Sequence, residues 1–364
     1  DNCMGGMYVV TVSLCMIVKN EEDVLARCLD SVKDLVDEII IVDTGSTDHT
    51  KEVAAEFTDK IYDYVWENDF AAARNFAFSK AEMEYIYSAD ADEVLDEVNR
   101  NRFAELKQVL LPEIEIVQMY YITPPEYNTT ANYQKEYRPK LYKRLREFVW
   151  VDAVHETVRI DPVIYDSEVE IQHLPKNLHS SRDFHLFRQA YEREGQLSDK
   201  LHSMYAKELF ISGTEKDFKE AETIFQATLH TAGNSLEKQR EAVCVLAHIY
   251  RQEKQTDKFF SMAFKLMPDA ICAEIAYEIG SYFMEQADHE EAKDWFELAA
   301  HQTEAVIDVR RRGRMPLDGL AECYGKMAEA IEAETPWEFE QIQFCREQAE
   351  QYQQEADEWE LPVL

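Results

Sequence analysis

Apolar and polar positions follow two different rhythms along this chain. In the first half, short apolar runs of strand length alternate with stretches whose apolar residues recur at helical spacing. The run VSLCMIV, within residues 8–18, predicts a buried first strand. Val24, Leu25, Cys28, Leu29 and Val32 then mark one face of a helix. DEIIIVD predicts the second strand, a Gly/Ser/Thr turn follows, and the next helix carries Val53, Ala54 and Phe57 on one side. IYDYVW predicts a third strand, FAAARNFAFSKA a helix, and YIYSADADE a fourth strand. This alternation predicts an α/β domain, a parallel sheet with helices on both faces. EIEIVQMYYI and the alternating EVEIQH add later strands.

From about residue 180 the strand signals vanish and helical periodicity runs almost to the end. An internal repeat appears there. AYEIGSYFMEQADHEEAKDWFELAA sets Gly280, Phe283, Ala292, Phe296 and Ala299 at the offsets of a tetratricopeptide-like helix pair. Leu209, Ala221 and Phe225 repeat part of the pattern upstream, and Ala247 and Tyr250 open another unit. A divergent last pair lies around Ala321 and Tyr324 and over residues 336–358. Small residues let two helices approach and aromatic rings fill the gap, so stacked units bury a continuous core and present a broad face. The expected division is therefore residues 7–178 as the α/β domain and 179–364 as the all-α repeat domain.

Composition narrows the partners. With 72 acids against 38 bases the chain carries a formal charge of -34, which repels nucleic acid and anionic membrane. Seven cysteines are scattered without a C-x-x-C pair, the usage of reduced thiols in a cytoplasmic protein. The apolar segment at residues 8–18 is too short to span a bilayer and lacks the features of a signal peptide, so no transmembrane segment is expected.

Candidate chemistry gathers at the strand ends. These carry Asn20, Asp43, Asn68 with Asp69, and the pair Asp90 and Asp92. Ligands of open α/β sheets bind beyond the carboxyl ends of strands. Two carboxylates one residue apart suit a hard cation, Mn²⁺ or Mg²⁺, which takes oxygen ligands and bridges to phosphates. Solvated acids at a strand end are the plainer alternative. Neither G-x-G-x-x-G nor G-x-x-x-x-G-K-[ST] occurs, which leaves a dinucleotide fingerprint and a P-loop unsupported.

MIVKNEE, IIIVDTGSTDHT, WENDFAAARN and YSADADE, in that order, resemble the nucleotide-sugar-binding half of family 2 glycosyltransferases of GT-A fold. The subgroup it is most similar to joins such a domain to helical repeats and includes peptide S-glycosyltransferases of the sublancin type. The resemblance implies a GT-A (Rossmann-like) domain, a UDP-sugar donor and an inverting, metal-dependent transfer of a hexose or N-acetylhexosamine. The backbone of residues 16–18, including Val18, with Asn20 and Glu21, would line the nucleotide pocket. Asp43 would accept from the uracil N–H, with Thr44 beside it. Arg74 would face phosphate or sugar, against the alternative of a surface ion pair. Asp90 would touch the ribose or a metal-bound water, and Asp92 would hold the metal directly.

The tract YRPKLYKRLREFVWVDAVHETVRI is basic within an acidic chain, suited either to donor phosphates or to a solvated edge strand. Within it, VWVDAVHETV is similar to a segment of the same subgroup. That makes Glu156 the candidate general base and His155 a candidate sugar or metal contact. His173, closing the strand EVEIQH, matches the subgroup's strand-end histidine and is preferred over His155 as the third metal ligand. The expected acceptor is a peptide, protein or glycan, and the repeats offer a docking face or a homodimer contact. The alternative function is a catalytically inactive tetratricopeptide adaptor with a vestigial transferase domain. Intact Asp43, Arg74, Asp90 and Asp92 argue against it.

Overall fold

The computed structural model describes residues 9–123, 135–146, 150–151, 157–158, 161–174, 180–266 and 271–362, with backbone alone at 150–151, 157–158 and 180–183. The chain divides into two compact units, one through residue 174 and one from residue 180 among the described residues.

The first unit is built on an eight-stranded sheet. Its strands are β1 (Val12–Val18), β2 (Glu38–Asp43), β3 (Ile61–Asp63), β4 (Tyr85–Ser88), β5 (Glu93–Val94), β6 (Ile116–Ile122), β7 (Glu136–Lys143) and β10 (Ile164–His173). A separate ladder pairs β8 (Trp150–Val151) with β9 (Thr157–Val158). The order in the large sheet is β3-β2-β1-β4-β7-β6-β10-β5. Helices α1 (Leu25–Val32), α2 (Thr50–Ala55) and α3 (Phe70–Phe78) connect the first four strands, and α4 (Glu97–Val109) follows β5.

β1 is buried along almost its whole length, as a strand covered on both faces must be. Period-two alternation splits its side chains between two cores. Val12, Leu14, Met16 and Val18 join Leu25, Leu29 and Phe103 on one side. Cys15 joins Ile40, Val42, Ala77 and Ile86 on the other. Small Ala73 and Ala77 on α3 bring that helix close to the sheet.

The parallel arrangement expected from the sequence holds without interruption across β3-β2-β1-β4 and again between β6 and β10. Beyond β4 the sheet is mixed, because β7 inserts antiparallel between β4 and β6. The basic tract of β7 is thus an interior strand and not an edge. Two strands are also shorter than their apolar runs suggest: β3 stops at Asp63 and β4 at Ser88. Asp90 and Asp92 therefore sit in the connection after β4, before β5.

The second unit is all helix: α5 (Ser180–Glu194), α6 (Asp199–Ser212), α7 (Glu215–His230), α8 (Leu236–Gln252), α9 (Thr256–Leu266), α10 (Ala273–Glu285), α11 (His289–His301), α12 (Arg314–Ala330) and α13 (Pro336–Glu358). Sequence neighbours pack pairwise, α7 on α8, α8 on α9, α10 on α11 and α12 on α13, while α8 and α10 also pack across the pairs. These are tetratricopeptide-like units. Among α10, α11 and α12 one ring limits the approach: a Cβ on Gly280 or on Gly319 would come 2.8 Å from carbons of Phe296. The tract RRRGR is absorbed locally. Arg311 is buried on Glu278, Arg310 meets Asp308 and Arg312 meets Glu304.

Candidate active site at the carboxyl ends of the strands

The strand order reverses at β1. The chain moves outward through β2 and β3, then crosses back to place β4 on the other flank of β1. A crevice opens where neighbouring connections leave in opposite directions, and ligands of α/β sheets settle there. The residues after Val18, Asp43 and Ser88 border that crevice.

The turn after β2 is organised by Asp43. Its Oδ2 accepts from the backbone N–H groups of Gly45 and Ser46, each at 3.0 Å. Gly45 takes a φ of 100°, which favours glycine. Asp43 is 2% exposed, and its other oxygen, Oδ1, is buried with no partner in the protein. A buried carboxylate oxygen normally finds a donor. This one has the chemistry to accept an N–H from a planar ligand. Thr44 binds back to the carbonyl of Val18 through both N–H and hydroxyl, at 3.0 Å each, which ties the ends of β1 and β2 together.

Asn20 is held at φ 58°, and its side-chain oxygen accepts from Thr47 N–H at 2.8 Å. The Glu21 N–H donates to Thr50 Oγ1 at 2.7 Å. Both residues lie at the crevice, and Asn20 spends its carbonyl on shaping the loop. Asp69 caps α3 through Ala72 N–H, and Asn68, at φ 58°, accepts from the Trp66 indole. That capped start projects Arg74 toward β4.

Arg74 forms an ion pair that spans two elements. Its guanidinium donates to Ser88 Oγ at 2.9 Å and to Asp90 Oδ1 at 2.6 Å. Burial works against ionised Asp90, yet Arg74, aided by Lys140, outweighs it and holds the carboxyl below its usual range. The next acid, Glu93, is buried against Lys140. Burial pushes the Glu93 carboxyl up, and Lys140 only partly offsets this. Arg74 and Lys140 thus absorb two of three clustered carboxylates. Other cations of the basic tract are also committed, Lys143 to the carbonyl of Pro112, Arg144 to that of Met83 and Arg146 to Glu115.

Asp92 is treated differently. Its Oδ2 lies 3.1 Å from His173 Nε2. The antiparallel pairing of β5 with β10 sets His173 directly opposite Glu93, and the Leu174 N–H donates to the carbonyl of Asp92. His173 packs its ring 5.1 Å from that of Tyr121, and its Nδ1 lies 3.4 Å from Thr123 Oγ1. An imidazole nitrogen beside a carboxylate oxygen is a donor pair that suits Mn²⁺ and accommodates Mg²⁺ less readily. Asp90, turned to Arg74, stands next to this pair.

Among the described residues, three metal-ligand atoms lie mutually close at Cys244, Cys272 and Glu274, in the helical unit. Glu274 already accepts from the N–H groups of Val306, Ile307 and Asp308, so its carboxylate closes a loop. His155 and Glu156 lie outside the described residues. The sequence does not single out Glu93, Thr123 or Tyr121. Glu93 directly follows Asp-x-Asp, but its burial and its tie to Lys140 depend on where β7 inserts.

Residues 13–159 match the model of Glycosyl transferase family 2. The SPbeta prophage-derived glycosyltransferase SunS of Bacillus subtilis (strain 168) is 32% identical over 161 residues, which cover 43% of this chain and 36% of that protein. A TPR repeat-containing protein of Synechococcus elongatus is 50% identical over 90 residues, 25% of this chain and 22% of that protein. The chain thus spans well under half the length of these curated relatives. Among solved structures, glucosyl-3-phosphoglycerate synthase from Mycobacterium tuberculosis, in complex with Mn²⁺, UDP-glucose and phosphoglyceric acid, is 14% identical. It covers 52% of this chain and 82% of that one, with a TM-score of 0.35.

Proposed function

We propose that this chain, whose residues 13–159 form a family 2 glycosyltransferase domain, transfers a hexose or N-acetylhexosamine from a UDP-sugar with a divalent cation, Mn²⁺ or Mg²⁺. The observation that supports this reading is that the connections following two strands that pair with β1 carry an acceptor oxygen without a partner and a member of a carboxylate–imidazole pair. Asp43 Oδ1 is the acceptor, and Asp92 with His173 is the pair.

The roles follow from the chemistry of each group. Asp43 accepts the uracil N–H. Its Oδ2 is fixed by two backbone donors, so Oδ1 keeps its orientation. Asp92 and His173 hold the cation, which when bound neutralises the charge that develops on the departing diphosphate. Arg74 keeps Asp90 ionised and offers its remaining guanidinium surface to phosphate or ribose. Lys140 cancels Glu93, so a third carboxylate does not compete with the diphosphate for the site. The candidate base for a hydroxyl acceptor is Glu156, on its sequence context; a thiolate acceptor needs no base. The acceptor class we favour is a peptide or protein side chain, with a glycan as the other option, and the helical repeats supply its docking face. Among the described residues no helix is long and apolar enough to cross a membrane.

Calorimetry with UDP-glucose, UDP-N-acetylglucosamine and UDP, in Mn²⁺ and in EDTA, tests this reading. Binding that requires Mn²⁺ and is lost in Asp92→Ala is the expected result. No binding of any uridine nucleotide by the intact chain refutes it.

A further inference from the structure

We infer that Thr123 is a positioning residue for the metal ligand His173, an inference that rests on the donor-site reading above. Thr123 directly follows β6, and it is 7% exposed. β10 runs parallel to β6 with Gln172 opposite Ile122, so the next residue on each strand, Thr123 and His173, lie side by side. Thr123 Oγ1 stands 3.4 Å from Nδ1 on one edge of the imidazole, and Asp92 Oδ2 stands 3.1 Å from Nε2 on the other. The Tyr121 ring lies 5.1 Å from the imidazole at 31°, and the Arg138 guanidinium covers Tyr121 at 3.7 Å. The ring's plane is therefore supported and both of its nitrogens are addressed.

A neutral imidazole carries one N–H, and a cation takes the nitrogen that lacks it. Without a cation, the Nε2–H donates to Asp92 and the Thr123 hydroxyl donates to Nδ1. If Asp92 and His173 Nε2 were to hold a cation, the ring proton would reside on Nδ1 and would need an acceptor there. A hydroxyl rotates to donate or to accept, so the same Thr123 oxygen serves both arrangements without moving the backbone. An outer partner of this kind fixes the tautomer and the direction of the metal-binding lone pair. Asp92 lies outside the sheet's regular register, and His173 is the ligand anchored by strand pairing. Control of its tautomer therefore controls whether the pair is ready to bind.

The test measures Mn²⁺ binding to the full chain by the loss of the free-ion electron paramagnetic resonance signal, in the presence of UDP. Thr123→Val, which keeps the shape and removes the acceptor, is expected to weaken Mn²⁺ binding by about 10- to 100-fold. Thr123→Ser is expected to stay near wild type. In the wild-type chain with Mg²⁺ as the diamagnetic ion, ¹⁵N spectra of the His173 ring are expected to show the proton on Nδ1. Wild-type Mn²⁺ affinity in Thr123→Val overturns the inference. If that variant does not fold, Thr123→Ala takes its place and wild-type Mn²⁺ affinity there overturns the inference equally, whereas a proton on Nε2 with Mg²⁺ bound counts against His173 as a ligand and so against the donor-site reading. Failure of the wild-type chain to bind Mn²⁺ at all sinks the donor-site reading instead.

Discussion

His173 Nε2 meets Asp92 Oδ2 at 3.1 Å across 81 residues of chain. The short strand β5 makes this contact, because it pairs Glu93 with His173 and so sets the neighbouring Asp92 beside the imidazole. If the pair holds the cation, removing either member weakens binding that depends on the metal and leaves the rest of the nucleotide pocket in place. His173→Ala is expected to reduce UDP affinity in Mn²⁺ by at least about tenfold and to leave the weaker affinity in EDTA unchanged. Titration calorimetry in both buffers checks this. An equal loss in EDTA would show that His173 shapes the pocket and does not bind metal.

Asp43 offers a test of base recognition. Its Oδ1 is buried and has no partner, while Oδ2 is taken by Gly45 and Ser46. In Asp43→Asn the amide oxygen keeps the two backbone donors, and an NH₂ group replaces the acceptor. A hydrogen bond to a charged group contributes about 1.5–3 kcal/mol, so uridine diphosphate affinity is expected to fall by about 10- to 100-fold. Cytosine presents an acceptor where uracil presents N–H. The same variant should therefore lose far less affinity for cytidine diphosphate. Competition binding with the two nucleotides measures the switch, and parallel losses would contradict the assignment.

Glu278 makes the helical unit depend on pH. It is fully buried and receives His248 at 2.7 Å, Arg311 at 2.7 Å and Arg251. Burial alone would raise its carboxyl, but His248, Arg251 and Arg311 prevail and hold it well below the usual range. A depressed folded value means the ionised form stabilises the fold above the unfolded value, near 4.3 for a glutamate. That contribution declines as pH falls below it. Glu278→Gln leaves buried cations short of a counter-charge and is expected to cost about 3–5 kcal/mol at pH 7. Urea denaturation at pH 7 and at about pH 3.5 should show the difference shrinking at the lower value. A difference independent of pH would mean that the cost is steric.

Gly280 and Gly319 flank the ring of Phe296, and a Cβ on either would come within 2.8 Å of it. Since both edges are occupied, the ring has nowhere to retreat. Overpacking of this kind costs about 1–3 kcal/mol, against a gain of about 1 kcal/mol in helix propensity for glycine to alanine. Gly280→Ala is thus expected to destabilise the helical unit by about 1 kcal/mol, read as a lower urea midpoint. Adding Phe296→Leu should recover part of the loss. A gain in stability from the single change would show that the helices separate freely.

Local pattern alone fixed a good deal of this protein. Apolar runs bounded by turns located β1, β2 and β4, helical spacing located α1 and α3, and small and aromatic offsets identified the paired helices with Gly280 against Phe296. These features depend on neighbours within a few residues, where side-chain period and backbone conformation are coupled. The same pattern overran at Asp63 and Ser88, since a strand ends where its pairing partner ends. It also missed the antiparallel insertion of β7, because direction and order in a sheet are set by distant segments. Asp43, Asp90 and Asp92 were all visible as strand-end carboxylates, yet their different circumstances were not. Asp90 is taken by Arg74, Glu93 by Lys140, and Asp92 alone is left to His173. Each of those partners arrives from another strand or helix. Strand register and burial, which no local spacing encodes, decide which acid meets a guanidinium or an ammonium and which is set beside an imidazole.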